Sequence, residues 1–152
     1  MNRQFMQTLF LAVTASIWQI EPKKGGGIAI IHRDSLRVHH EPIQPLSSFE
    51  HTSIVITNIS PQLRVTGIYC PPNTSSADTF ESDLNALLEN YNKSTTDTCL
   101  LGDFNVRFQD NSNPFTKILN TTLVNFNLVQ HVSVPTHSKG NTLNLVITPI
   151  EL

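Results

Sequence analysis

Between punctuating prolines and glycines, the chain alternates short β-branched runs with two stretches of helical spacing. Val65, Gly67 and Tyr69 alternate with Thr66, Ile68 and Cys70. Both sets are largely apolar, the pattern of an inner strand covered on both faces. Runs at 28–31, 53–57 and 142–148 read as further strands, and Cys99-Leu100-Leu101 as a short buried one. Phe80, Leu84, Leu87, Leu88 and Tyr91 recur at three- and four-residue intervals, one stripe of a helix that faces a core. Ser75 or Ser76 offers an N-cap hydroxyl ahead of it, and Asp78 and Glu81 favour the positive end of the helix dipole. A second helix is expected over about residues 114–126, with Pro114 in its first turn and Phe115, Ile118, Leu119 and Leu123 on one side. Strands, helix, strand, helix, strand is the order of a mixed α/β (α+β) domain.

Composition sharpens this picture in a few places. With 152 residues the chain is read as one domain. Charged residues make up only 14%, so polarity comes mostly from Asn, Ser and Thr, which favour turns and caps. A net charge of −2 excludes broad nucleic-acid binding by bulk charge. No apolar run approaches the ~20 residues that cross a bilayer. Cys70 and Cys99 have no second ligand at zinc spacing and read as small buried hydrophobes. His32, His39 and His40, with Arg33 and Arg37, read as a solvated edge strand. There is no repeat, no Gly-x-x-x-x-Gly-Lys phosphate loop and no Gly-x-Ser-x-Gly elbow.

The N-terminus admits two readings. Arg3, the apolar run Leu9 to Val13 and small residues at Val13 and Ala15 form a passable signal peptide; the same run fits a buried strand over residues 8–14. Sequons at Asn58, Asn73, Asn92 and Asn120 carry little weight in a chain so rich in Asn, Ser and Thr. A nuclear or cytoplasmic address is the expectation, and a small secreted glycoprotein the lesser alternative.

The chemistry-bearing segment is Leu100-Leu101-Gly102-Asp103-Phe104-Asn105. An apolar strand ends, a glycine lets the chain turn, and an acid and an amide follow two residues apart. In extended backbone that spacing puts Asp103 and Asn105 on one side and Phe104 in the core. Such a pair suits water activation plus a hydrogen bond to a phosphate oxygen. A capping aspartate in a strand-to-loop turn explains the same residues.

Gly102-Asp103-Phe104-Asn105 does not stand alone. Ile68-Tyr69-Cys70-Pro71-Pro72 precedes it; Gln130-His131-Val132, Pro135-Thr136-His137 and Gly140-Asn141-Thr142-Leu143-Asn144-Leu145-Val146-Ile147-Thr148 follow. Gly25-Gly26-Gly27-Ile28-Ala29 lies upstream. Over about residues 8–148 this order resembles the endonuclease/exonuclease/phosphatase family, in the version found in LINE-type non-LTR retrotransposons. The resemblance implies a two-sheet β-sandwich flanked by helices, and Mg²⁺-assisted phosphodiester hydrolysis of DNA. It assigns Asp103 as the water-activating base, Asn105 as its partner at the phosphate, and Tyr69 as a phosphate-contacting hydroxyl. His131 and His137 fall at positions that look structural rather than catalytic.

The chain also departs from the family pattern. Ala15 stands where the metal-binding glutamate belongs, and a methyl group cannot bind a hard cation. Asn144 replaces the aspartate that orients the catalytic histidine, and the Ser-Asp-His run expected after it is absent from these residues. The resemblance therefore implies a single partial domain over residues 1–152, a sandwich incomplete at both ends, and weak or absent activity, with the remainder of a retroelement polyprotein as partner. A non-enzymatic remnant or binding module is the alternative. Phosphomonoester or lipid-phosphate substrates also remain open on these motifs.

Overall fold

A computed structural model describes residues 28–72 and 75–150. The strand expected over residues 8–14, Gly25 to Gly27 and the Ala15 position lie outside the described residues.

The fold is α+β. Strands β1 (Val38–Glu41), β2 (Glu50–Ile56) and β3 (Leu63–Tyr69) lead into helix α1 (Ala77–Tyr91). Strand β4 (Asp97–Asp103), helix α2 (Pro114–Asn125), and strands β5 (Leu128–Gln130) and β6 (Asn144–Pro149) complete it. The six strands form one mixed sheet in the order β1-β2-β3-β4-β6-β5. The β3–β4 pair is parallel, joined through α1, and the other four pairs are antiparallel. Of the expected sandwich, the described residues thus hold one sheet with its helix layer.

Alternation along the central strands explains why the sheet is buried on both sides. Ile68, Leu100, Leu145 and Ile147 meet Phe80, Leu84, Leu87, Leu88 and Leu119 in the larger core, on the helix side. Ile54, Ile56, Leu63, Val65 and Cys99 form a second core on the opposite face, against Ile30, Leu36 and Val146. The side chain of Ser76 accepts the Thr79 N–H as N-cap of α1, with Asp78 in the first turn; Glu81 falls beyond it. Asn113 caps α2 ahead of Pro114. Thr116 and Thr122 join Leu119 and Leu123 among the buried residues of α2, so that face is more polar than its aliphatic residues alone suggest.

Two expectations change. Residues 28–31 join no strand among the described residues. Ile28 instead lies across the sheet: its Cγ2 sits 2.6 Å from where a side chain on Gly67 would begin, while Ile30 packs into the second core. The backbone groups of the strands beneath are already paired within the sheet, so these isoleucines cover a face and extend no ladder. The short edge strand β5 is new, too brief for a period-two signal. Residues His39 and His40 do sit exposed on edge strand β1.

Candidate active site

Four residues of four neighbouring strands come into one row at one end of the sheet. Tyr69 ends β3 opposite Asp103, which ends β4. Asn144 opens β6 opposite Asp103, and Glu50 opens β2 opposite Tyr69. Neighbouring strands lie about 4.8 Å apart, so the row crosses the sheet in three such steps. Tyr69 shares its face with Leu63 and Val65, and Asp103 shares its face with Cys99, so the row lies opposite the helices. Tyr69, Asp103 and Glu50 are half-buried and Asn144 is exposed. Glu50 was not singled out from the sequence, because its strand begins Glu-His-Thr, with no apolar alternation. The hairpin pairing of residues 53–57 with Leu63–Tyr69, run backwards, would have found it.

Gly102 sets the approach of β3 and β4. A Cβ there would stand 1.9 Å from the Ile68 carbonyl oxygen, and φ is +143°, so no side chain fits. The Cys70 N–H donates to the Asp103 carbonyl at 2.9 Å, extending the parallel pair past the row. Phe104 then turns into the helix-side core at 1% exposure.

The expected extended Asp-x-Asn geometry is not what forms. The strand stops at Asp103, and Asn105 is left-handed with φ +50°. The Asp103 carboxylate accepts the Asn105 N–H at 3.0 Å, a local bond that competes with strand continuation. Asn tolerates that backbone region better than most residues. Asn105 Nδ2 donates to the Cys70 carbonyl at 2.7 Å. An amide carries two N–H groups there, so one remains for another acceptor. Asp103 and Asn105 are thus linked through the turn and not through a shared strand face.

The remaining motif residues have separate duties. Thr136 Oγ1 accepts the N–H groups of Leu143 and Asn144 at 2.9 and 3.0 Å, which pins the loop before β6 to the row. His131 Nε2 lies 2.7 Å from Thr148 Oγ1, four residues along β6 from Asn144 and so about 13 Å from the row. His137 is exposed, with Nδ1 accepting the Lys139 N–H at 3.2 Å. Burial, reinforced by the Asp103 charge, pushes the Cys70 thiol up to about 12. Burial pushes Cys99 up to about 11. Both stay protonated at neutral pH and act as core residues.

No group of three or more His, Cys, Asp or Glu side chains converges among the described residues. Asp103 offers one carboxylate, and Glu50 another two strands away. Mg²⁺ is usually held by one or two carboxylates together with waters and substrate phosphate, and Asp103 and Glu50 are the carboxylates of this row. Beside Asn105 a cleft of about 600 Å³ opens on the helix side of the turn, with Arg107, His137 and Lys139 in its wall.

No protein-family model matches the sequence, and no curated protein is similar to it. Solved structures are. The endonuclease domain of TRAS1, a telomere-specific non-LTR retrotransposon, superposes with a TM-score of 0.67 at 14% identity, over 87% of this chain and 64% of that one. An endonuclease/exonuclease/phosphatase family protein from Leptotrichia buccalis gives 0.53 at 15% identity, over 83% and 55%. The fold is of the endonuclease/exonuclease/phosphatase type. D. rerio TDP2, in complex with a single-strand DNA product, shares this endonuclease/exonuclease/phosphatase-type fold with a TM-score of 0.57 at 11% identity, over 96% and 65%. The chain therefore spans less than two thirds of the length of each of these structures.

Proposed function

We propose that this chain is the nuclease-type domain of a non-LTR retroelement, built for phosphodiester hydrolysis of DNA and impaired in this copy. The row that aligns Tyr69, Asp103 and Asn144 on one face, at the end where Asn105 turns, carries the reading. Asp103 is the water-activating base: it takes a proton from water as the oxygen attacks phosphorus and the ester P–O bond breaks. The Tyr69 hydroxyl and the remaining Asn105 N–H donate to phosphate oxygens, stabilising charge that grows in the transition state. Asn144 stands beside Asp103, where the resemblance expects the aspartate that orients a catalytic histidine. Asn144 is neutral and cannot support an imidazolium. Loss of a general acid alone costs typically 10²–10⁴-fold, so activity is expected near background. The dependence on Mg²⁺ that the resemblance implies is weakened by Ala15 at the ligand position. The remainder of a retroelement polyprotein as partner, and a nuclear or cytoplasmic site of action, belong to the same proposal.

Nicking of supercoiled plasmid by the purified chain tests it, with Mg²⁺, with chelator and beside Asp103→Ala. The expected outcome is trace nicking that Asp103→Ala removes. Robust nicking that survives Asp103→Ala would take Asp103 out of its role. A second reading is a binding module without chemistry, in keeping with Ala15 and Asn144 at positions where the resemblance expects acids. Equal background in all lanes would select it.

A further inference from the structure

A second cavity, of about 290 Å³, opens at the far end of the sheet from the row. Asp97 lies in its wall and opens β4, the strand that Asp103 ends, which puts it about 20 Å from the row by strand rise. Both helices finish here: Asn92 and Phe126, the C-terminal caps of α1 and α2, border the cavity. Carbonyls without intrahelical partners and the negative dipole end are concentrated at such positions. Basic side chains in a last turn commonly offset them, and neither helix carries one there.

The charge facing the cavity is negative and unmatched. Among the described residues no Lys, Arg or His lines it, and Asp97 is its one acid. The half-buried Asp97 carboxylate takes no hydrogen bond or ion pair among the described residues. Arg64 lies beneath, donating to Ser94 and Thr98 of the wall at 3.1 and 3.3 Å, but Glu41 matches its charge. Lys93, next to the cap Asn92, is exposed and outside the wall. Thr98 is 7% exposed, and its hydroxyl oxygen keeps a lone pair after accepting from Arg64. Apolar side chains, Leu88, Phe126 and Leu128 among them, form the rest. One carboxylate beside a hydrocarbon surface suits a charged head on an alkyl stem. A metal ion would need several oxygen ligands or waters, and carbon cannot replace them. The volume is at the small end for a ligand site.

We infer that this cavity binds a primary alkylammonium group, with Asp97 and the carbonyl ends of the two helices toward the nitrogen and Phe126 and Leu128 along the stem. Three N–H donors meet a wall whose free polar groups are acceptors. The group can belong to a free aliphatic amine or to a lysine side chain. The inference stands apart from the nuclease-type reading and uses none of the residues of the row.

The test is titration of the full chain, labelled with nitrogen-15, with pentylamine at neutral pH, followed by amide chemical shifts. Pentan-1-ol supplies the same stem with a neutral head, and Nα-acetyl-lysine methylamide presents the same head from a backbone. Pentylamine should give saturable shifts confined to residues 88–98 and 126–128, and pentan-1-ol should bind at least about tenfold more weakly. Asp97→Asn should lose at least about tenfold in pentylamine affinity, the factor expected for one charge-assisted hydrogen bond. Asp34→Asn, exposed and outside the wall, should bind as wild type does. The spectrum of Asp97→Asn shows directly whether it is folded; Phe126→Leu is the second variant, expected to weaken amine and alcohol alike. No saturable shift, shifts spread over acids elsewhere, equal binding of pentan-1-ol, or an unchanged Asp97→Asn would overturn the inference. Tighter binding of the lysine derivative than of pentylamine assigns the head to a side chain, and the reverse assigns it to a free amine.

Discussion

Gly102 shows how one missing side chain can position a site. Its Cβ would collide with the Ile68 carbonyl of β3, so the approach of the strands ending in Tyr69 and Asp103 depends on that hydrogen. Gly102→Ala should cost more than about 2 kcal/mol, combining a rare φ with a backbone clash, and urea denaturation would measure it. An alanine as stable as wild type would mean that the turn shifts freely. At this scale much was legible: Gly102, Asp103 and the burial of Phe104 follow from a strand meeting a turn. The left-handed state of Asn105 was not, because a period-two pattern continues on paper where the Asp103 carboxylate ends it in space.

Helix α1 and the strands beneath it are joined by a polar cluster at Arg64, 3% exposed. Its guanidinium bonds Glu41 at 2.5 and 2.9 Å, Thr98 at 3.3 Å and Ser94 at 3.1 Å, and lies 4.4 Å from the centre of the Tyr91 ring. The Tyr91 hydroxyl reaches Ser53 and Thr66 at 2.8 and 2.7 Å. Each guanidinium nitrogen thus has an acceptor, the condition under which a buried charge is tolerated. Arg64→Ala should destabilise by about 2–4 kcal/mol, toward the lower side of a fully buried pair because the Glu41 side chain stays 27% exposed. Denaturant unfolding beside Glu41→Gln reads it; a loss under about 1 kcal/mol would make the cluster incidental. The apolar stripes announced both helices. Arg64 was silent in the sequence, since a lone arginine between Leu63 and Val65 reads as an exposed position until the sheet places it under Tyr91.

For the molecule as a whole, His51 and Asp83 are among the groups that tie stability to pH. Burial holds His51 below its ordinary 6.5, partly opposed by the Asp83 charge, so the folded state keeps it neutral. Its contribution is present above the unfolded value of 6.5 and is lost as pH falls below it, where the unfolded chain takes up the proton first. Burial raises Asp83, but the Ser48 and Ser47 hydrogen bonds outweigh it and leave the carboxyl below 3.8. That contribution is present above 3.8 and is lost as pH falls through the folded value. The urea midpoint should therefore drop between pH 7.5 and 5.5 and again below 4. His51→Phe should flatten only the first step, and a first step unchanged by it would clear His51. The two-faced burial of the sheet was legible from β3 alone. Residues 28–31 misled because a run that covers a face and a run that joins a ladder have the same composition.

Glu50, Tyr69, Asp103 and Asn144 stand side by side in space, yet the row draws on positions from 50 to 144 along the chain. No local segment contains it, and the parallel step from Tyr69 to Asp103 closes over a crossover that contains α1. Non-local pairing of this kind is slow and accrues late. The end of the sheet that carries this row therefore depends on long-range closure that the β2–β3 hairpin does not need. A partly folded chain can hold its helices and its β2–β3 hairpin while having no site at all.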